Sequence, residues 1–298
     1  MFINELKNAL SAAFADGDAV PSVRANVGCG GLCTLYGGLK QEFYTDKMPW
    51  LLKHLSSEEL QEITMDSLEE STEFRAGLEQ MRFMKDMLEG TGIQIYPMDL
   101  QGPIDMAHLL MGDEFFYALY DDPELVNKAL ELSLAADIYG MEKCMEIIAP
   151  KEYVCYYNDL AVPAETPLKI SEDTSTLLGK EHLEEFMRPY TERLLKHFGG
   201  GYIHYCGDNQ HLLKMMPALE KSIGLNFGNP ERHDPKTVLG DLANVKKCYY
   251  GSFSGVSAAE LAKLARQEDG RYNVFIKDWT KMADQERLLE EFDRSMQL

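Results

Sequence analysis

Apolar and β-branched residues in this chain fall into short runs closed by Gly, Pro, Asn or Asp. Between the runs, apolar positions recur every three or four residues. The runs predict strands at Ser22–Val27, Ile93–Tyr96, Val154–Tyr157, Leu168–Ile170, Tyr202–Cys206, Gly224–Phe227, Lys247–Tyr250 and Asn273–Ile276. Amphipathic helices are predicted at 181–198, 209–220, 257–267 and 283–296, so the second half alternates helix and strand to its end. That order favours a parallel sheet with helices outside. Eight strands suit a single (β/α)8 TIM-type barrel, here with an N-terminal helical extension. An open Rossmann-like sheet is the alternative, but no GxGxxG follows a strand. Only about ten residues separate Val154–Tyr157 from Leu168–Ile170, the lower limit for a crossover, which leaves room for one of the two to be an accessory hairpin strand.

Several helix starts are signalled residue by residue. Ser56-Ser57-Glu58-Glu59 and Ser257-Ala258-Ala259-Glu260 read as capping boxes, in which serine and glutamate each satisfy a backbone donor of the first turn. Asp122-Pro123-Glu124 sets a cap, a first-turn proline and an acid ahead of the apolar stripe Leu125, Ala129, Leu130 and Leu132. No repeat, low-complexity segment or Pro/Ser-rich linker divides the chain, so residues 1–298 read as one domain.

Composition narrows the function. With 49 acidic against 29 basic residues the net charge is −20, which repels nucleic acid and anionic lipid surfaces and works against a polycarboxylate substrate unless local cations offset it. Six scattered cysteines in a long chain suit reduced thiols in a cytoplasm rather than a disulfide frame. The start, MFINELKNALSAAF, is helical in period and interrupted by polar residues, unlike a signal peptide. No apolar run approaches the roughly 20 residues that span a bilayer.

The strongest chemical signal is Gly199-Gly200-Gly201-Tyr202-Ile203-His204-Tyr205-Cys206-Gly207. Alternation along a strand turns His204 and Cys206 to one face, about 7 Å apart along the backbone and able to converge on one ion. Imidazole and thiolate suit tetrahedral zinc, which also accepts carboxylates. Gly207 follows at once, placing the pair at the strand's C-terminal end, the catalytic face of a (β/α) barrel. A bare H-x-C pattern more often describes a core histidine and a small buried thiol, since two ligands do not make a zinc site.

Further residues carry a resemblance. Gln101-Gly102-Pro103, Leu109-Leu110-Met111-Gly112-Asp113-Glu114, Tyr120-Asp121-Asp122-Pro123-Glu124-Leu125, Glu185-Phe186-Met187-Arg188-Pro189-Tyr190 and His204-x-Cys206-Gly207 occur in the order seen in the uroporphyrinogen decarboxylase superfamily, which the chain resembles over most of residues 20–280. The resemblance implies a (β/α) barrel. It is closer to the branch of zinc-dependent methyltransferases that move methyl groups between corrinoid proteins and thiols or other carriers. It implies catalytic and zinc-binding roles for His204 and Cys206, with the corrinoid carried by a partner protein. That branch usually has a further cysteine after the last barrel strand, whereas Asn273–Trp279 contains none; Asp278 and Glu172 are the candidate replacements, each equally readable as a loop acid or helix cap.

Two other readings stand beside this one. A tetrapyrrole decarboxylase must hold eight carboxylates, yet only Arg24 precedes Arg75. A barrel without catalysis, serving as a binding subunit, is the third. Asp99, Gln101, Asn158 and Asn226, at predicted strand ends, are candidate substrate-binding residues, though Asn and Asp also serve turns. The expected ligand is a small methyl donor or acceptor, and a homodimer is compatible with the sequence. Cys29 and Cys33 follow the first strand and either approach the same mouth or belong to a packed glycine-rich turn. Cys248 reads as core.

Overall fold

The structure, a computed structural model, describes residues 2–14, 20–36, 38–44, 49–64, 71–156 and 160–251, with residues 68, 253, 256, 257, 259, 260, 263, 264, 274 and 275. Helix α1 (Phe2–Phe14) precedes β1 (Ser22–Arg24), which is followed by a short 3-10 turn at Leu32–Leu35 and an antiparallel pair, β2 (Gln41–Glu42) and β3 (Trp50–Leu51). Helices α2 (Ser57–Glu62) and α3 (Thr72–Met87) lead to β4 (Gln94–Tyr96), parallel to β1 with Ser22 opposite Gln94. Three helices follow, α4 (Pro103–Met111), α5 (Glu114–Asp121) and the long α6 (Pro123–Ile148). The capping box of α2 forms in both directions, Glu59 N to Ser56 Oγ at 3.2 Å and Ser56 N to Glu59 Oε2 at 2.9 Å. The Asp122 carboxylate caps α6 through Leu125 N at 3.1 Å.

Strands β5 (Tyr153–Tyr156) and β6 (Leu160–Pro163) form an antiparallel hairpin. The run at Val154–Tyr157 is thus the accessory strand. The parallel sheet starts instead at β7 (Leu168–Ser171), because so short a connection closes a hairpin more easily than a crossover. Next come a 3-10 turn at Thr174–Leu177, α7 (Lys180–His182), a π-helical turn at Leu183–Met187 and α8 (Arg188–His197), where a single helix was expected. The remaining elements are β8 (Gly201–Tyr205), α9 (Gln210–Ala218), β9 (Ser222–Phe227), α10 (Pro235–Asn244), β10 (Cys248–Tyr250) and β11 (Val274–Phe275). Strands β7, β8, β9, β10 and β11 form one parallel sheet in chain order. A parallel bridge from Gln101 to Ser171 ties the segment after β4 to β7. The Ser257–Glu260 capping box forms, with Glu260 N 3.2 Å from Ser257 Oγ. The helix predicted at 283–296 lies outside the described residues.

Register sets the site. Ser171 pairs with His204, and His204 with Asn226, so the ends of β7, β8 and β9 line up on one edge. Alternation does the rest on β7: Leu168 and Ile170 are fully buried in the core, while Lys169 and Ser171 line a cavity at the strand ends. Among the described residues, no helix is long and apolar enough to cross a membrane.

Candidate active site

His204 and Cys206 meet as their spacing predicts, with Nε2 of the imidazole 3.3 Å from Sγ. A third donor comes from the turn after β7: Asp173 Oδ1 lies 4.0 Å from His204 Nε2 and accepts a hydrogen bond from Cys206 N at 2.6 Å. One potential ligand atom from each of Asp173, His204 and Cys206 lies within 4.8 Å of the other two. Gly207, at φ 121°, turns the chain away directly after the thiol. A Cβ at Gly228 would collide with Cys206 Sγ, so that neighbour has no side chain to offer.

The imidazole is oriented by a fixed amide. Asn226 Nδ2 donates to Tyr250 O at 2.5 Å, which leaves Oδ1 to accept from His204 Nδ1–H, also at 2.5 Å. The tautomer follows: the proton sits on Nδ1 and the lone pair of Nε2 faces Cys206 and Asp173. Burial, reinforced by Lys169, lowers the His204 pKa and keeps the ring neutral. Burial and the neighbouring Asp173 push the Cys206 thiol up to about 11, so without a cation it stays protonated.

His204 and Asp173 border a cavity of about 690 Å³, sized for a small molecule. Its walls include Arg24 from β1, Trp50 from β3, Asp99 and Gln101 beyond β4, Asp105 and His108 from α4, and Lys169 from β7. Arg24 is paired with Asp99 at 2.6 Å. Lys169 stands close to Asp99, Arg24, Asp173 and Cys206, and burial lowers its pKa.

A second set of acids lies deeper. Glu172 is fully buried and turns away from the cavity, accepting from Thr191 Oγ1 at 2.9 Å and Ser175 Oγ at 3.3 Å. Its carboxyl packs so tightly on Gly102 that no Cβ fits there. Asp137 on α6 is 1% exposed, with neither carboxyl oxygen hydrogen-bonded. Burial first, then the charge of Asp105 on Glu172 and of Glu172 on Asp137, raises both pKa values well above the usual carboxylate range.

Comparison with known proteins gives a fold. The structure resembles that of a methyltransferase from Methanosarcina mazei, with a TM-score of 0.64 and 14% sequence identity, covering 91% of this chain and 76% of that one. No protein-family model and no curated protein matches the sequence.

Of the residues singled out in the sequence, His204, Cys206, Asp99 and Gln101 come to one place. Asn226 does not line the cavity; both its amide atoms are engaged by His204 and Tyr250. Glu172 is not the carboxylate beside His204; its neighbour Asp173 is. Asn158 and Asp278 lie outside the described residues. Cys29 lines the cavity, Cys33 is buried in the core, and Cys248 is directed at Ile223 O. Sequence reasoning missed Asp173, Lys169, Arg24, Asp105 and His108. A signal existed for two of them, since a cation inside a short buried strand, as at Arg24 and Lys169, points to a lined cavity.

Proposed function

We propose that this chain is a (β/α)8 TIM-type barrel of the uroporphyrinogen decarboxylase superfamily. It acts as a zinc-dependent methyltransferase that moves a methyl group between a corrinoid, carried by a partner protein, and a thiol or other small methyl carrier. The observation that carries this reading is the convergence of Asp173, His204 and Cys206, with the imidazole lone pair oriented into the group. Carboxylate, imidazole and thiolate form a donor set that zinc accepts, and three protein ligands leave its fourth position open, the pattern of a catalytic rather than a structural site. Asp173 takes the place of the cysteine missing near the last strand.

Zinc held there would supply Lewis acidity, lowering the pKa of a bound substrate thiol so that it loses its proton to solvent and, as a thiolate, can attack an activated methyl group. The chain's own residues prepare that encounter. Asn226 holds His204 in one tautomer, Asp173 accepts from the backbone of Cys206, and Asp99 and Gln101 present polar groups to the substrate. The barrel is supported by the parallel pair β1–β4 and by the Gln101–Ser171 bridge, which ties the segment after β4 to the sheet of five parallel strands. The same cavity disfavours a tetrapyrrole bearing eight carboxylates, because its cations Arg24 and Lys169 share the lining with Asp99, Asp105, Asp113 and Asp173.

Zinc content of freshly purified protein tests the reading. Near-stoichiometric zinc is expected in the wild type, with affinity falling more than roughly 100-fold in His204→Ala and Cys206→Ser, beyond the loss typical of outer-shell changes. No metal in the wild type, even after zinc supplementation, overturns it.

A further inference from the structure

Asp173 reaches His204 and Cys206 from a turn that does not cap itself. The 3-10 turn at Thr174–Leu177 begins at Asp173, whose side chain makes no capping bond and is engaged with Cys206 N instead. The backbone donors that open this turn are met from another helix. Asp105 of α4 accepts from Asp173 N through Oδ2 at 2.8 Å and from Thr174 N through Oδ1 at 2.6 Å. One turn further along α4, His108 Nδ1 lies 3.0 Å from Thr174 Oγ1.

The clamp has a rigid base. Asp105 is 4% exposed, and two backbone bonds stitch the start of α4 to β7: Gly102 N to Ser171 O at 2.5 Å and Ser171 N to Leu100 O at 3.2 Å. Glu172 N then bonds His204 O at 2.8 Å, joining the same turn to β8. Both carboxyl oxygens of Asp105 therefore set the backbone of the residue whose own carboxylate faces the imidazole and thiol. A carboxylate accepting two adjacent N–H groups constrains both position and rotation of that backbone more than a single bond would.

We infer that Asp105 is a positioning residue for the metal group: by clamping the Asp173 and Thr174 amides it holds the Asp173 carboxylate where an ion shared with His204 and Cys206 can use it. The inference rests on the zinc reading above and deepens it. Asp105 is not a ligand here; it acts through Asp173. A ligand on a loop is placed only as well as the loop is, and removing outer partners of metal ligands typically costs about 10–100-fold in affinity.

Cobalt(II), a coloured substitute for zinc, tests this in the full chain. Three variants, Asp105→Ala, Asp173→Ala and the double mutant, are compared with the wild type by competition for cobalt(II) and by its visible absorption. Asp105→Ala is expected to weaken cobalt(II) roughly 10–100-fold, to give the spectrum of Asp173→Ala, and to add no further loss on top of Asp173→Ala. Asp105→Asn keeps the volume and one acceptor oxygen, and is expected to show a smaller loss with the same spectral change, so the inference stays open to test if the alanine variant does not fold. Wild-type affinity and spectrum in Asp105→Asn, or losses that multiply in the double mutant, overturn the inference while leaving the zinc reading intact. A wild-type chain that takes up neither cobalt(II) nor zinc overturns both.

Discussion

Two groups of acids meet at the end of β7 under opposite conditions. Asp173 is half-exposed at the cavity edge, 4.0 Å from a neutral imidazole whose lone pair is turned toward it. Its neighbour Glu172, with Asp137 of α6, is sealed in the core, where burial holds the carboxyl pKa values far above their usual range. Asp105 bridges the regions: it is buried, pushed up to about 7 by burial and by Asp173, and still binds the backbone of the open site. The residue types are the same, and water access separates their chemistry. An acid at the edge can accept a cation in place of solvent, whereas a sealed one keeps its proton or unbalances the core.

The largest effect is expected at Asn226. Asn226→Leu removes the acceptor that orients His204 and leaves Tyr250 O without its amide partner. Zinc affinity should drop roughly 10–100-fold, measured against a chelating dye. Unchanged affinity would mean that the imidazole needs no orienting.

Asp137 tests the sealed side. Its folded pKa lies above the unfolded value near 4, so the native state keeps a proton that the unfolded chain has already lost. That contribution is present in full below the unfolded pKa and shrinks as pH rises toward the folded one, by about 1.4 kcal/mol per pH unit for one such group. Asp137→Asn should therefore be more stable relative to wild type at pH 8 than at pH 5. Urea melts at both pH values check this, and parallel pH dependence in the two proteins would remove Asp137 from the sealed group.

An acid on the outside should matter least. Glu131 pairs with Arg193 at 2.5 Å, but both side chains are about half exposed. Glu131→Ala is expected to shift unfolding free energy by less than about 1 kcal/mol, at any pH where Glu131 is charged. A larger change would show that this helix-to-helix pair contributes more than exposed pairs usually do.

The fold was readable where local signals agree with each other. Caps at Ser56, Asp122 and Ser257, and the strand runs around His204, Asn226 and Cys248, depend on neighbours within a few residues, and all form. The run at Val154–Tyr157 was ambiguous because an apolar strand carries no mark of its partner, and only chain closure through β6 decides it. The same limit applies to Glu172 and Asp173. Adjacent acids after a strand look alike in sequence, yet the turn sends one into the core and the other to the cavity.

By itself, then, the sequence determined that His204 and Cys206 share a face at a strand end, since two-residue alternation is a property of the strand. Tertiary structure alone decided which carboxylate joins them, because Asp173 reaches the pair through the alignment of β7 with β8 and a clamp from α4. It also decided that Asn226 serves the histidine, through the register that sets β9 beside β8. Alternation is local and survives in any sheet. Register and helix docking are fixed only when distant segments bury each other's surfaces, and no short stretch of sequence records that outcome.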